Sequence, residues 1–437
     1  MSKIKKPPDK LWFPTLLQVA NNVKSNSWFN MLQKNNPNKI NLIEENINCT
    51  YTKTMKFPIF PTLKQKIILD NWFRAVIDMY NITNKYILDY YKENNKIETF
   101  ITIRKKLLKE SNIIVTNTKI NKHILDYSVK HCVEMYKSCL SNLTNKNIKE
   151  FTIKDLYYNR NRYNLVIEPA NFSSKINGFC VRELGEMKSQ KNFINLFKSN
   201  SILQYNKNTN KYYIISPFEK NINKTIKREE YCGIDLGVRT FATLYSPNKT
   251  LEIGTNLIPT IDKYNKKMDK IASDKDLNIL EENKYKKLLY KYGNKMRNKI
   301  DDLHKKVSVY LVKNFKNIHL GKISTSNVIS NKKGNPRLEA SGRLASSQAN
   351  LKEIVKRRIN VLSLYKFNET LKIMAKKYKS NIKEINEYMT SKTCHNCQHI
   401  NKDLGSKKIY KCCKCNIEID RDINASINIY NKGRMDL

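Results

Sequence analysis

The sequence has no apolar run that could cross a membrane, because a membrane-spanning helix needs about 18 or more consecutive apolar residues. Its first residues, from Met1 to Pro8, contain lysines and prolines and no apolar core of the kind found in signal peptides. These two absences predict a protein that is neither secreted nor embedded in a membrane, and we expect it to be intracellular.

Acidic residues are scarce for a chain of this length. Only 39 Asp and Glu stand against 81 Lys and Arg, which gives a formal net charge of +42. Lysine, asparagine, isoleucine and tyrosine are all abundant, as the codons of an AT-rich gene would produce, but codon drift does not explain why the acidic residues fail to keep pace. A surface this positive attracts polyanions, and nucleic acid is the expected partner.

Most of the ten cysteines show no pairing pattern along the sequence. Scattered thiols of this kind are typical of proteins in a reducing compartment, the cytosol or the nucleus, where disulfides rarely persist. The scattered cysteines are Cys49, Cys132, Cys139, Cys180, Cys232 and Cys413.

The chain of 437 residues is too long for one ordinary core, so several domains are expected. Residues 1–50 are polar and are predicted to form an extension, which is either helical around Leu11–Leu32 or partly disordered. Strand patterns at 55–60, and again between 165 and 217, predict one β domain over 51–60 and 150–227. Helical patterns predict a helical insert over 61–149, in which Thr62 and Gln65 have the spacing of a capping box.

Four further segments between residues 179 and 343 have a predicted secondary structure. Residues 179–182 are predicted to be a strand, and 221–228 a basic linker. Long helices are expected over 259–315 with a break near Ala272–Asp274 and another at Gly293, and a basic loop is expected over 331–343.

The most informative stretch runs from Tyr231 to Tyr245. Two β-rich runs on either side of Gly237-Val-Arg239 predict a pair of antiparallel strands, with Asp235 on the first strand. Further strand and helix patterns follow, and one strand ends in Glu387. The second half of the chain is therefore predicted to form a mixed α/β sheet with carboxylates at strand ends.

Two Cys-x2-Cys pairs, Cys394 with Cys397 and Cys412 with Cys415, are separated by the fourteen residues 398–411. Four thiolates at this spacing are typical of a tetrahedral zinc ribbon. Since four protein ligands close the coordination shell, we expect this zinc to stabilise structure rather than to activate water. Cys413 is a weaker rival for the second pair, and we expect His395 and His399 to be surface residues.

Asp235 by itself predicts little, because an aspartate near a strand turn is usually a cap or turn residue. The second acidic run, Asp420-Arg-Asp422, lies far along the chain beside the paired cysteines. A lone buried carboxylate is costly, whereas two or three carboxylates that converge on a divalent metal ion are stable and reactive. Asp235 and Asp422 meet only if the sheet closes as it does in RNase H-like nucleases.

Several motifs together resemble, in chain order, the RuvC and zinc-ribbon motifs of the TnpB family of RNA-guided nucleases. They are Ile234–Arg239, Thr390–Cys397, Cys412–Cys415 and Asp420–Ala425, while Val355–Phe367 resembles the stretch before the ribbon and Phe60–Gln65 with Tyr80-Asn81 resembles the N-terminal signature. The resemblance is close over 228–437, moderate over 51–92 and thin elsewhere.

One departure from the family pattern is informative. The family usually has its middle catalytic Glu at the end of the strand that here contains His319-Leu-Gly-Lys322, where no acid stands. Glu387, three residues before Thr390, is instead placed as in the Fanzor branch, the eukaryotic and viral relatives of TnpB. Glu384 is the alternative to Glu387. Asp422 matches the remaining catalytic position of the family, and we expect Asp420 to be structural.

The resemblance implies a multidomain α+β protein. Its RNase H-like (RuvC) α/β nuclease domain would cover 228–393 and 416–437, with a zinc ribbon over 394–415. The N-terminal β domain would be a wedge domain, and its helical insert would be a recognition lobe.

The same resemblance implies a DNA endonuclease in which Asp235, Glu387 and Asp422 hold two Mg²⁺ ions about 4 Å apart. A guide RNA and double-stranded target DNA would be its partners. It would act in the nucleus or another DNA-containing compartment of a eukaryotic or giant-virus-infected cell. Two alternatives remain, a catalytically impaired zinc-ribbon nucleic-acid-binding protein and a guide-independent transposon-associated nuclease.

Overall fold

The computed structural model of the protein describes residues 28–37, 40–322, 353–401, 403–405 and 407–435. The basic loop expected over 331–343 lies outside the described residues, as does the part of the expected N-terminal helix up to residue 27. The chain forms two compact units, which we name by their place in the sequence. The central unit is Tyr51–Lys220, and the outer unit is Met1–Thr50 together with Asn221–Leu437.

The strands of the described residues, numbered along the chain, are β1 (Met31–Asn35), β2 (Ile43–Ile59), β3 (Arg162–Ile167), β4 (Ser201–Asn206), β5 (Lys211–Leu236), β6 (Ala242–Tyr245), β7 (Lys249–Ile253), β8 (Phe315–Lys322), β9 (Asn381–Asn386), β10 (Ile409–Lys411) and β11 (Glu418–Asp420). The longer helices are α1 (Leu63–Asn94), α2 (Phe100–Lys106), α3 (Leu108–Thr118), α4 (Lys122–Thr144), α5 (Leu257–Asp276), α6 (Glu282–Asn314), α7 (Leu364–Tyr378) and α8 (Arg421–Met435). Residues 353–362 are also helical.

The outer unit is built on a mixed sheet with the strand order β1-β7-β6-β5-β8-β9. Its first four strands are antiparallel neighbours, whereas β8 runs parallel to β5 and β9 runs parallel to β8. The hairpin expected around Asp235 is confirmed, since β5 pairs with β6 and places Asp235 opposite Thr243. Apolar side chains of β5–β8 pack with those of α6 and α7 in one buried core.

Helix α8 lies unusually close to the sheet, because two glycines leave it room. A Cβ at Gly233 on β5 would overlap backbone atoms of α8, and a Cβ at Gly433 on α8 would overlap the imidazole of His319 on β8. The close approach holds the middle of α8, at Ser426 and Tyr430, against β5, the strand that contains Asp235.

Several expectations for the outer unit are wrong. Residues 31–35 are not the end of a helical extension, because they form the edge strand β1 and pair with β7. The expected linker 221–228 is part of β5, a strand 26 residues long, because its polar residues pair as strand instead of looping out. The helical break lies between Asp276 and Glu282, not at 272–274, and α6 continues through Gly293.

In the central unit, the helices α1–α4 pack with β3, β4 and the first half of β5 around one core. The capping box is confirmed, since the Thr62 side chain accepts from the N–H of Gln65 and the Gln65 side chain accepts from the N–H of Thr62. The strand expected over 179–182 is wrong. Cys180 has a φ of 44°, which ends the extended path, and Val181–Leu184 form a helical turn.

Within the described residues, none of the helices combines the length and the apolar character of a membrane span.

Candidate active site and zinc site

Three acidic side chains from three separate elements line one cavity of about 370 Å³ in the outer unit. Asp235 is the penultimate residue of β5. Glu387 directly follows the last residue of β9, and Asp422 is in the first turn of α8. The structure therefore brings together the three acids that the sequence had singled out. The cavity is also lined by Leu236, Gly237, Val238, Arg239, Thr390, Ser391, Lys408 and Arg421.

The environment of the cavity disfavours the ionised form of each acid. Burial, and then the charges of Glu387 and Asp422, raise the pKa of Asp235 well above its usual range. Burial and the charge of Asp420 raise the pKa of Asp422, while Arg421 opposes the shift. Because these carboxylates repel one another across a small space, a bound cation would stabilise all of them together.

Glu387 is held in an unusual place. Its Oε1 is buried and has no hydrogen-bond partner among the described residues, and burial raises the pKa of the carboxyl to about 7. The carboxylate lies against Gly321 on β8, where any Cβ would overlap Oε1 and would stand 3.0 Å from Cγ and Cδ. An acidic side chain that follows β9 thus occupies the space beside β8, a strand that contains no acid.

Glu384, the alternative to Glu387, points elsewhere. Its Oε1 accepts from the side-chain amide of Asn368 at 2.8 Å and pairs with Lys372 at 3.0 Å. The hydrogen bond from Asn368, and then the one from Lys372, lower the pKa of Glu384. Its side chain is satisfied by α7 and does not line the cavity.

Asp420 has a structural role, as expected. Its Oδ1 accepts from the backbone N–H groups of Asp422, at 2.8 Å, and of Ile423, at 3.3 Å. These are the bonds of an N-cap, which satisfies donors that would otherwise lack a partner at the start of α8. Asp420 therefore fixes the turn from which Asp422 enters the cavity.

The chemistry of the cavity's donors suits a hard divalent cation such as Mg²⁺, whereas among the described residues only the four cysteines already hold their ligand atoms within 4.8 Å of one another. Such ions prefer oxygen ligands, and carboxylates are their usual protein ligands. The cavity supplies three carboxylates, one of which has a buried oxygen without a hydrogen-bond donor. A buried oxygen of this kind is costly unless it has a partner, and a metal ion is a suitable one.

The four paired cysteines form a separate cluster in which all the sulfur atoms lie within 4.8 Å of one another. The Sγ atoms of Cys394 and Cys415 are 3.6 Å apart, and those of Cys397 and Cys412 are 3.5 Å apart. Four sulfurs around zinc at about 2.3 Å would be separated by about 3.8 Å. The cluster therefore fits a tetrahedral zinc ion.

The remaining candidates near the ribbon stay outside this cluster. The exposed Cys413 contacts Nε2 of His399 at 3.1 Å, and His395 contacts the side chain of Asn424 at 3.0 Å. Asn424 also donates to the backbone of Thr393. These contacts join the first cysteine pair to α8, so the zinc cluster and Asp422 are parts of one local structure.

Sequence reasoning did not select Gly321 or Arg421. Gly321 lies on β8, the strand that has no acid. The reason for a glycine there is its contact with the Glu387 carboxylate, which exists only in the folded chain. Arg421 lies between Asp420 and Asp422, so the sequence places it beside the site. The direction of its side chain cannot be predicted from the sequence.

Comparison with known proteins gives two matching family models and several relatives. The Cas12f1-like, TNB domain model matches residues 365–429, and the probable transposase model matches residues 217–332. TnpB-like protein R854 of Acanthamoeba polyphaga mimivirus is 34% identical over 97% of this chain and 84% of that protein. TnpB-like protein L770 of the same virus is 34% identical over 97% of this chain and 86% of that protein.

Among solved structures, the Cas12f1–sgRNA–target DNA complex matches with a TM-score of 0.49 and 14% identity. The match covers 88% of this chain and 99% of that chain.

Proposed function

This chain belongs to the TnpB family, and from that premise we propose that it is an RNA-guided, Mg²⁺-dependent DNA endonuclease of the Fanzor branch. The observation that carries the proposal is the convergence of Asp235, Glu387 and Asp422 in one cavity. Buried acids that face one another disfavour each other's charge, as the raised pKa of Asp235 shows, and a bound cation would offset that cost.

The sheet supports an RNase H-like (RuvC) domain. Strands β5, β6 and β7 form an antiparallel meander, and β8 and β9 add in parallel on the other side of β5. Asp235 and Glu387 lie at or beside the ends of β5 and β9, and Asp422 lies at the start of α8. We assign the nuclease domain to 228–393 and 416–437, and the zinc ribbon to 394–415. In the central unit, the strands would form a wedge-like domain and the helices of 61–149 a recognition lobe.

In this proposal, Asp235, Glu387 and Asp422 hold two Mg²⁺ ions. When bound, Mg²⁺ supplies the Lewis acidity that activates the attacking water and stabilises the leaving 3′ oxygen. The fold holds the three carboxylates in place. The β5–β6 hairpin fixes Asp235, the N-cap Asp420 fixes Asp422, and Gly321 leaves the space that Glu387 occupies.

The zinc ion would have a structural role. Four thiolates complete its coordination shell, so it holds the ribbon together and takes no part in cleavage. The ribbon in turn supports the start of α8, since the backbone N–H of His395 donates to the side-chain oxygen of Asn424 at 3.0 Å.

The partners follow from the family and from the charge. A guide RNA would read the target by base pairing, while lysines and arginines of the protein, whose net charge is +42, would bind the phosphate backbones. The protein would then act in a DNA-containing compartment, in a eukaryotic host or a giant-virus-infected cell.

The proposal is tested by expressing the protein together with the DNA that flanks its gene, purifying it and sequencing the bound RNA. Target DNA that matches the RNA is then supplied with Mg²⁺. We expect one discrete RNA species and cleavage of matching DNA, and we expect Asp235→Ala and Glu387→Ala to abolish cleavage while RNA binding persists.

Other outcomes would favour a different function. Cleavage without a discrete RNA would indicate a guide-independent nuclease. Binding of RNA and DNA by the wild-type protein without cleavage would indicate a nucleic-acid-binding protein. Cleavage by both variants at the wild-type rate would show that the acids have been assigned wrongly.

A further inference from the structure

The acidic cavity also contains a guanidinium group, that of Arg421, in the first turn of α8. Its positive charge acts on two of the three acids, because it counters the upward pKa shifts of Asp235 and Asp422. The pKa of Glu387 is raised by burial alone. Arg421 directly precedes Asp422 in the chain and lines the same cavity as the three acids.

Neutral groups fix Arg421 in place. One terminal nitrogen donates to the carbonyl oxygen of Gly405 at 2.8 Å, and the other donates to Oγ of Ser391 at 3.3 Å. Its backbone N–H donates to the carbonyl oxygen of Lys408 at 2.8 Å. Among the described residues, the Arg421 guanidinium forms no ion pair with a carboxylate, although three carboxylates share its cavity.

Other cations in the outer unit behave differently. Lys408, which lines the same cavity, pairs with Asp420 at 3.6 Å. The guanidinium of Arg357 makes two bonds, of 2.8 and 3.0 Å, to the carboxylate of Asp269. Arg421 is thus a positioned cation that forms no ion pair within the described part of the chain, and it lines the cavity in which an anionic substrate would bind.

The chemistry of the guanidinium indicates the kind of anion. It carries five N–H donors in a planar fork, which matches two oxygens of a phosphate group. The contacts with Gly405 and Ser391 use only two donors. A phosphodiester group near the three acids could therefore receive the remaining donors.

Building on the proposed nuclease function, we propose that Arg421 is a further catalytic residue, which binds the non-bridging oxygens of the scissile phosphodiester. In the cleavage step, water forms a bond to phosphorus and the bond from phosphorus to the 3′ oxygen breaks. The proton of the water passes to the leaving oxygen through solvent, which gives a 5′ phosphate and a 3′ hydroxyl. Charge on the equatorial oxygens grows in the transition state, and a fixed guanidinium stabilises it.

The test uses the RNA-loaded protein and its matching DNA. Single-turnover cleavage is measured with Mg²⁺, and affinity for the target is measured separately with Ca²⁺ in place of Mg²⁺. We expect Arg421→Gln to lower the cleavage rate about 100-fold or more, as the loss of one transition-state donor does, and to leave target affinity within about twofold of wild type because the charged backbone is bound at many other places. Arg421→Lys should retain part of the rate, because it keeps the charge and loses the fork.

Two controls separate this role from a structural one. Arg357→Gln removes a guanidinium that is already engaged with Asp269, and it should cleave at the wild-type rate. Guanidinium chloride added to Arg421→Ala should restore part of the cleavage rate, which it should not do for Asp422→Ala. Zinc content and melting temperature are measured for each variant, and those of Arg421→Gln should match wild type.

The proposal is overturned if Arg421→Gln cleaves as fast as wild type, or if its loss of rate is matched by lost zinc or lost target binding and guanidinium does not rescue Arg421→Ala. In either case the nuclease function would stand, because the wild-type protein still cleaves. A wild-type protein that does not cleave would overturn both proposals.

Discussion

Glu387 lies so close to Gly321 that any side chain at residue 321 would overlap its carboxylate. Gly321 is on β8 and stands opposite Ile385 on the parallel strand β9, and Glu387 comes just after that strand. The Glu387 carboxylate thus lies over β8, the strand that pairs with β9. A middle acid that follows β9 consequently requires the absence of a side chain on β8.

Gly321→Ala is expected to impair the site without removing any of its acids. The added methyl group would push the Glu387 carboxylate out of its place, and misplacing a ligand by about 1 Å is sufficient to lower a rate by about 100-fold. Cleavage of the guide-matched DNA and the rise in melting temperature on adding Mg²⁺ would both be measured, and both should fall.

Gly293→Ala is the matched control, since a Cβ at this helical glycine meets no atom within 4 Å. It should raise stability by about 0.5–1 kcal/mol, because alanine loses less backbone freedom than glycine in a helix. Its cleavage rate should be unchanged. If Gly321→Ala also leaves the cleavage rate unchanged, the contact between Gly321 and Glu387 is not needed for cleavage.

The effect of Mg²⁺ on stability should depend on pH. Burial raises the pKa of Glu387 from an ordinary value of 4.5 to about 7. The metal-free folded protein therefore holds more protons than the unfolded chain between these values, and it loses stability as pH rises through that window. Since Mg²⁺ binds the ionised acids, the stabilisation that it provides should grow as pH rises from about 5 to about 8.

Melting temperatures with Mg²⁺ and with EDTA, taken across that range, measure this directly. Glu387→Gln removes the titrating group and should flatten the dependence, although Asp235 and Asp422 will retain some of it because their pKa values are also raised. An Mg²⁺-induced stabilisation of the wild-type protein that is equal at all these pH values would contradict the assignment.

Loss of one zinc ligand should unfold the ribbon. Cys412→Ser should lower the zinc content, measured by mass spectrometry of the metal, from one ion per chain to less than one. Cleavage should fall as well, because the carbonyl of Gly405 positions Arg421 and the backbone of His395 in the ribbon bonds Asn424 near the start of α8. Cys413→Ser should keep its zinc, since Cys413 contacts His399 and lies outside the cluster. Zinc loss in Cys413→Ser with retention in Cys412→Ser would reverse the ligand assignment.

Arg228 is expected to be a major source of stability in the outer unit. Its buried guanidinium pairs with Glu45 and donates to the carbonyls of Val312 and Tyr378 at 3.0 and 3.1 Å and to Oγ of Ser380 at 2.8 Å. Arg228→Gln would break all of these bonds at once, while Glu45 keeps its pair with Lys316 and the Val312 carbonyl keeps its bond from Ser380. We expect the substitution to lower the free energy of unfolding by about 3–5 kcal/mol.

Lys286→Gln is the control for that measurement. Lys286 also lies in the outer unit and forms an exposed pair with Glu282 one helical turn away, and such pairs contribute about 0.5 kcal/mol or less. Urea denaturation of both variants, followed by a signal from the outer unit, gives the comparison. Equal losses for the two variants would show that the bonds of Arg228 contribute no more than a surface pair.

The sequence predicted those parts of the site that depend on residue type and short spacing. The two cysteine pairs define their own cluster, and the hairpin at Asp235 follows from two β-rich runs around a turn. The strand character of 221–228 was not predictable, because its polar residues become strand only by pairing with a distant segment. The edge strand β1 depends in the same way on β7.

The choice between Glu384 and Glu387 illustrates the same limit. Both residues are close to the end of one strand, and the sequence favoured Glu387 only through a resemblance. The structure separates them by their contacts, since Lys372 and Asn368 hold Glu384, while Gly321 leaves space for Glu387. Neither contact can be derived from local sequence, because both partners lie on other elements.

The most direct measurement is therefore the Mg²⁺-dependent cleavage of guide-matched DNA by Glu387→Ala and Glu384→Ala, each compared with wild type. We expect Glu387→Ala to lower the cleavage rate on the order of 1000-fold or more, as the loss of one member of a catalytic group does, and Glu384→Ala to cleave as wild type does. Cleavage by Glu387→Ala at the wild-type rate would contradict the three-carboxylate site.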